Sequence, residues 1–258
     1  MGRYSSASTD VDRRYLMTVQ RQIVALGGGG FSQEPDNLAL DRYILSLAGR
    51  ERPRVAFVPT ASGDADGYVE RFYTAFRSLD CEPSHLGLFR REITDLRAFV
   101  LAQDILYVGG GNTQNMLALW RLHGLDGIFR EAYERGVILA GISAGALCWF
   151  KEGTTDSLGA LTRLECLGLV PYSLSVHHDA EPTRRPVFKR MIGQGEMVAG
   201  YGVDEGAALH VVDGEIARVV TSRPEAGAYW VAKRGAEVVE EALAVTFLGG
   251  TFSADRQS

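Results

Sequence analysis

Short apolar runs alternate with amphipathic stretches through the first 150 residues. Gln22–Leu26, Arg54–Val58 and Ile105–Val108 are compact runs that read as buried strands, and each closes on a turn signal: Gly27 to Gly30, Pro59-Thr60, and Gly109-Gly110-Gly111. A weaker run over residues 84–88 and a strong one over 137–140 add two more strands. Between them, apolar positions fall at helical spacing. Leu38, Tyr43, Ile44 and Leu47 mark a helix over 37–47, and residues 68–79 and 93–101 read the same way. Met116, Leu119 and Trp120, then Ile128, Phe129 and Tyr133, give two further helical faces. Residues 146–150 read as helix. Strand and helix in alternation predict an α/β fold: a mostly parallel sheet flanked by helices on both faces.

The pattern changes after residue 150. Residues 156–163 read as a loop or short helix, 167–175 as extended, and 185–191 as helix beginning near Pro186. Residues 198–203, 206–212, 216–220 and 228–231 are short strands, with Asp213-Gly214 a strong hairpin signal. The expectation is a β-rich C-terminal extension of the same sheet. With no low-complexity linker and no internal repeat, residues 21–250 read as a single domain, between a polar, disordered extension over 1–20 and a polar tail over 251–258.

Composition narrows the function classes. A chain of 258 residues with 46% hydrophobic content can bury a full core. A net charge of -5 supplies no basic field, so nucleic acid is not an expected partner. No apolar run is long enough for a membrane span, and no signal peptide is evident. Cys81, Cys148 and Cys166 form no C-x-x-C or zinc pattern, which fits a reducing cytoplasm. Cys148 reads as core packing.

The chemistry-bearing segment is Gly141-Ile142-Ser143-Ala144-Gly145, between an apolar strand and a helix. That layout is a nucleophile elbow, in which glycines admit a tight turn that lifts the serine clear of the sheet. A helix-capping serine is the bland alternative. A serine nucleophile needs a base, and the chain has five histidines. His85, His123 and His210 occupy positions suited to structural roles. His177 and His178 end an extended run and are the base candidates. Asp156, Asp179, Asp204 and Glu205 are candidates for the orienting acid, with Asp204-Glu205-Gly206 placed between two apolar strands. The backbone amide of Ala144 and those of the Gly109-Gly110-Gly111-Asn112 turn are candidate oxyanion donors. A phosphate-binding role for that turn lacks the P-loop lysine.

Assembled, these segments resemble the peptidase E family of serine peptidases, which includes α-aspartyl dipeptidase and cyanophycinase. The resemblance spans roughly residues 22–212 and rests on four segments in order: Val108-Gly109-Gly110-Gly111-Asn112-Thr113, Gly141 to Ala146, His177-His178-Asp179-Ala180-Glu181-Pro182, and Asp204-Glu205-Gly206. It implies a class I glutamine amidotransferase-like fold with serine in place of the nucleophilic cysteine. It implies Ser143 as nucleophile, His177 as base and Glu205 as third member, with Asp156 as the alternative acid. Val176 stands where the family carries proline before the histidine. The chain order Ser, His, acid departs from that of an α/β-hydrolase.

The resemblance also implies an oxyanion hole from Gly110, Gly111 and Ala144, and substrate contacts from Asn112 and from Arg184 or Arg185, either of which could read an aspartyl carboxylate. The expected activity is hydrolysis of short peptides through an acyl-enzyme, as an aspartyl dipeptidase-like exopeptidase, without metal or organic cofactor. A catalytically idle binding protein of the same fold and an amidase for a non-peptide amide are the alternatives. Oligomeric state is open, with a homodimer among the possibilities.

Overall fold

The computed structural model describes residues 19–249; the expectations for the leading extension before residue 19 and for the polar tail lie outside them. The strands in chain order are β1 (Gln22–Leu26), β2 (Arg54–Val58), β3 (Glu82–His85), β4 (Ile105–Val108), β5 (Ile138–Ile142), β6 (Phe150–Leu158), β7 (Ala160–Glu165), β8 (Val170–Ser175), β9 (Gly200–Val203), β10 (Ala207–Val212), β11 (Glu215–Thr221), β12 (Ala228–Arg234), β13 (Glu237–Ala242) and β14 (Val245–Phe247). The helices are α1 (Gly30–Gln33), α2 (Ala39–Ser46), α3 (Asp66–Phe76), α4 (Leu96–Leu101), α5 (Thr113–His123), α6 (Leu125–Glu134), α7 (Ala144–Leu147) and α8 (Arg184–Gln194).

Eight strands form the main sheet in the order β14-β11-β10-β1-β5-β4-β2-β3. Strands β3, β2, β4, β5 and β1 run parallel, and β10 adds to β1 antiparallel. The central parallel strands β1, β2, β4 and β5 are largely apolar on both faces because both faces are covered. In β4, Leu106 and Val108 enter one core with Trp120, Phe129 and Trp149. Ile105 and Tyr107 enter the other with Phe31, Phe72 and Phe76. The twofold alternation of a strand thus feeds two cores from one apolar run. Among the described residues, no helix is long and apolar enough to cross a membrane.

A second sheet has the order β13-β12-β9-β8-β6-β7. The C-terminal strands therefore divide. Strands β10 and β11 extend the main sheet as expected, joined by the Asp213-Gly214 turn with both residues at positive φ. Strands β9, β12 and β13 instead join β6, β7 and β8. Two readings of the sequence are corrected here. The helix at 146–150 is a single turn, α7, and Phe150 already opens β6. Residues 156–163 are a β-hairpin turning at Gly159, φ 98°. Thr154 and Thr155 are β-branched and buried, which suits a covered strand. α8 packs on this sheet through Phe188, Met191 and Ile192 against Val231.

Candidate active site

The site lies where the two sheets meet. The C-terminal ends of the neighbouring strands β1, β5 and β4 carry Gly27 to Gly30, Ser143 and Gly109 to Asn112. Ligands gather at such strand ends in parallel α/β sheets. The second sheet contributes His177, which follows β8, and Glu205, on the link that crosses from β9 to β10.

Ser143 has φ 54° and ψ -113°, a backbone state costly for a residue with a side chain. The surroundings fix it. A Cβ on Gly141 would overlap the Gly145 carbonyl, and one on Gly145 would overlap the Val108 carbonyl. Both glycines are therefore required by the closeness of strand and helix. The Ser143 amide donates to the Leu26 carbonyl at 3.1 Å, and its carbonyl accepts from Ala146 and Leu147 to start α7.

His177 also has positive φ, 51°, and its amide donates to the Gly27 carbonyl at 3.1 Å. Its ring bridges two partners: Nε2 lies 2.9 Å from Ser143 Oγ, and Nδ1 lies 2.9 Å from Glu205 Oε1. The His177 side chain is 11% exposed and the Glu205 side chain 29%. With Nδ1–H donating to the carboxylate, Nε2 carries the lone pair that faces the serine hydroxyl. Glu205 is held in turn by the Asp179 carboxylate, which accepts its backbone N–H at 2.9 Å.

The four candidate acids thus separate by geometry. Of these, Glu205 alone meets the His177 ring among the described residues. Asp204 turns away to accept from the Gly227 amide at 3.0 Å and the Tyr229 hydroxyl at 3.4 Å. Burial and the neighbouring Asp179 charge push the Asp204 carboxyl up to about 6. Asp156 is exposed and pairs with Arg184 at 3.5 Å. His178 is buried, with Nε2 3.0 Å from Glu240 and its ring against Gly202. Burial lowers its proton affinity. Burial pushes the Glu240 carboxyl up, but hydrogen bonds from Arg185, His178 and Lys189 outweigh it and hold the group at about 2. This ionic cluster joins β13, α8 and the loop behind His177.

The remaining expected contacts fare unevenly. The Gly110 backbone lies beside Ser143: a Cβ built there would stand 3.3 Å from Ser143 Cβ. Its amide, however, already donates to the Tyr68 hydroxyl at 3.2 Å, so it differs from the expected free oxyanion donor. The amides of Gly111 and Ala144 have no acceptor among the described residues.

Asn112 is the N-cap of α5: Oδ1 accepts from the Asn115 amide at 2.9 Å and Nδ2 donates to the Ser157 carbonyl at 3.0 Å. Each end of its amide thus has one partner within the protein. Arg184 is 4% exposed and makes a two-point contact with Glu181, at 2.6 and 3.1 Å. Arg185 points to Glu240 and lies over the Tyr229 ring at 4.8 Å.

Sequence reasoning missed the part played by the first glycine run. A Cβ on Gly27 would overlap the Val203 and Asp204 carbonyls, and one on Gly28 would meet Glu205 Cγ at 2.6 Å. Four consecutive glycines at a strand end are a visible signal of such close backbone approach.

Peptidase YgaJ of Bacillus subtilis (strain 168), described as an uncharacterized peptidase, is 52% identical over 229 residues, covering 89% of this chain and 100% of that protein. A crystal structure of a peptidase from an acI-B1 Actinobacterium superposes with TM-score 0.65 at 19% identity, over 88% of this chain and 96% of that one. The structure of a putative peptidase E protein from Listeria monocytogenes EGD-e gives TM-score 0.55 at 22% identity, over 87% and 100%. At these identities the two structures show the shared fold. The sequence profile of peptidase family S51 matches residues 23–219, a span that holds the elbow serine, the bridging histidine and the glutamate beyond it. By that match and by its resemblance to YgaJ, the chain belongs to peptidase family S51, a family of serine-type peptidases.

Proposed function

We propose that this peptidase cleaves short peptides through an acyl-enzyme on Ser143, with His177 as general base and acid and Glu205 as the orienting acid. One observation carries the reading: Ser143 Oγ, the His177 ring and Glu205 Oε1 stand in line with two 2.9 Å contacts, at the strained exit of β5. As Oγ attacks the peptide carbonyl, its proton passes to Nε2 and the carbonyl oxygen takes the negative charge. The amides of Ala144 and the glycine turn after β4 are the donors proposed for that oxygen. Collapse of the intermediate breaks the C–N bond, and the leaving amine takes the proton from Nε2. Water then attacks the ester, giving its proton to the same nitrogen, and the acid product leaves with Ser143 restored.

For substrate choice, the proposal is an exopeptidase of aspartyl dipeptidase type, with Arg184 as the reader of an acidic side chain. Its fork is engaged by Glu181, and its longer contact, 3.5 Å, is to the exposed Asp156. A substrate carboxylate takes the place of Asp156.

A panel of dipeptides with aspartyl, glutamyl, leucyl and lysyl residues at the amino end tests both parts, run with the wild type and Ser143→Ala. Expected are faster turnover of the aspartyl peptides and loss of turnover by several orders of magnitude in the variant. A flat profile would reduce Arg184 to a structural ion pair. Full activity of Ser143→Ala would remove the acyl-enzyme.

A further inference from the structure

Four backbone amides run through the turn after β4, and three have acceptors inside the protein. Gly109 N–H donates to the Val58 carbonyl at 3.1 Å and Asn112 N–H to the Ala61 carbonyl at 2.8 Å. Gly110 N–H donates to the Tyr68 hydroxyl at 3.2 Å. Gly111 N–H has no acceptor among the described residues. The Gly111 N–H follows the Gly110 backbone that lies against Ser143, and, like that of Ala144, it is open to an outside acceptor. Gly111 sits where only glycine fits. Its φ is +139°, and a Cβ there would overlap the Ala61 carbonyl.

The acceptor for Gly110 is itself held. Tyr68 rises from α3 into the aromatic core, its ring 5.0 Å from Phe57 and 5.8 Å from Phe31. Its oxygen accepts from Ser32 Oγ at 2.8 Å as well as from Gly110. Two donated bonds fill the lone pairs of a phenol oxygen. Burial raises the Tyr68 pKa, so the oxygen stays a neutral hydroxyl. The ring closes against Gly109, where a Cβ would stand 3.0 Å from Tyr68 Cε1. Gly109 and Gly110 alone offer little resistance to peptide rotation. The Tyr68 hydroxyl is the side-chain bond that fixes the plane of the peptide between them.

We propose that Tyr68 is a positioning residue for the oxyanion turn: its hydroxyl, set by Ser32, holds Gly110 N–H away from the reacting carbonyl and leaves Gly111 N–H as the donor that works beside Ala144. This rests on the peptidase reading above. Without the hydroxyl, Gly110 N–H lacks its acceptor, the peptide planes turn, and the Gly111 donor leaves its line. Misplacement by about 1 Å can cost roughly 10² in rate.

Tyr68→Phe keeps the ring packing and removes the bond. The readouts are kcat and KM on a dipeptide substrate, and the rate at which a fluorophosphonate labels Ser143, followed by intact mass. Expected are a fall in kcat of about 10- to 100-fold, below the 10² to 10³ that outright loss of an oxyanion donor costs, with KM within about twofold. The labelling rate falls by the same factor, because the phosphoryl oxygen occupies the oxyanion position. Ser32→Ala gives a smaller loss in the same direction, and the double variant is no slower than Tyr68→Phe, since both act through one contact.

Wild-type kcat and labelling rate in Tyr68→Phe would overturn the proposal. So would a change confined to KM, or a gain in kcat, which would make Gly110 the donor. If Tyr68→Phe does not fold, Ser32→Ala decides by the same two rates. Wild-type protein that does not label on Ser143 would overturn the peptidase reading itself. Labelled wild type with unaltered variants would overturn the role of Tyr68 alone.

Discussion

Replacing Glu205 by Gln removes a charge while leaving an oxygen to accept from His177 Nδ1. The cost can be worked from the contact. In the transition state the ring is an imidazolium whose Nδ1 sits 2.9 Å from the carboxylate. With charge centres roughly 4 Å apart and an effective dielectric of about 20, the attraction is about 4 kcal/mol. Solvent reaches the Glu205 side chain, 29% exposed, and reduces this to about 3 kcal/mol. That corresponds to a fall in kcat of roughly 10². Glu205→Ala loses the orientation of the ring too and falls by about 10³, still short of the roughly 10⁴ known for a fully buried triad acid. Asp204→Asn and Asp156→Asn, measured like the Glu205 variants on a leucyl dipeptide, stay within about threefold in kcat. The Asp204 variant pays in stability instead, through its bond from the Gly227 amide. Initial rates at saturating substrate decide the matter. A Glu205→Gln enzyme within about threefold of wild type would refute the reasoning. So would an Asp204→Asn enzyme slower than it.

Asp41 is wholly buried on α2, and neither carboxylate oxygen makes a well-formed hydrogen bond among the described residues. Burial pushes its carboxyl up to about 7, against a partial pull downwards from the Phe31 amide and the Tyr107 hydroxyl. The folded protein thus binds this proton more tightly than the unfolded chain, whose value is near 3.8, and stability is lost as pH rises from about 4 through 7. Asp41→Asn removes the loss. Its stability gain in denaturant titrations is expected to grow from near zero at pH 4 to as much as about 4 kcal/mol at pH 8; a gain independent of pH would contradict this. Gly145→Ala forces a Cβ into the Val108 carbonyl. The expected result is a drop of more than about 3 kcal/mol or no soluble protein, read by thermal melting, and a wild-type melt would contradict the packing argument.

Much of the main sheet was legible because its central strands β1, β2 and β4 are apolar on both faces and end in glycine or proline. β2 and β4 have the boundaries that the sequence predicts. The elbow was legible because a strained turn demands glycines at fixed spacing. The second sheet was not. Strands β6 and β7 carry Lys151, Glu152, Asp156 and Arg163 among their residues, and one buried carboxylate, Glu152, is satisfied by Arg163 and the Val198 amide. Such pairing is invisible until the strands meet. β13 is rich in glutamate, and Glu240 is tolerated there because three cationic or donor side chains from α8 and the His177 loop converge on it. The His–Glu partnership was readable only in outline. Asp204 and Glu205 are adjacent, and which one faces the imidazole is set by the link crossing between sheets. The Tyr68 bond to Gly110 joins residues far apart in sequence, and no local pattern announces it.

The central claim is that one hydroxyl, held at the exit of β5 and bonded to His177, is the nucleophile. Treating the folded protein with a fluorophosphonate and mapping the adduct by mass spectrometry tests it most directly. The account predicts one adduct, on Ser143, slowed by orders of magnitude in His177→Ala and absent from Ser143→Ala together with peptide turnover. No adduct on the folded protein, or one elsewhere with activity intact in Ser143→Ala, would contradict it.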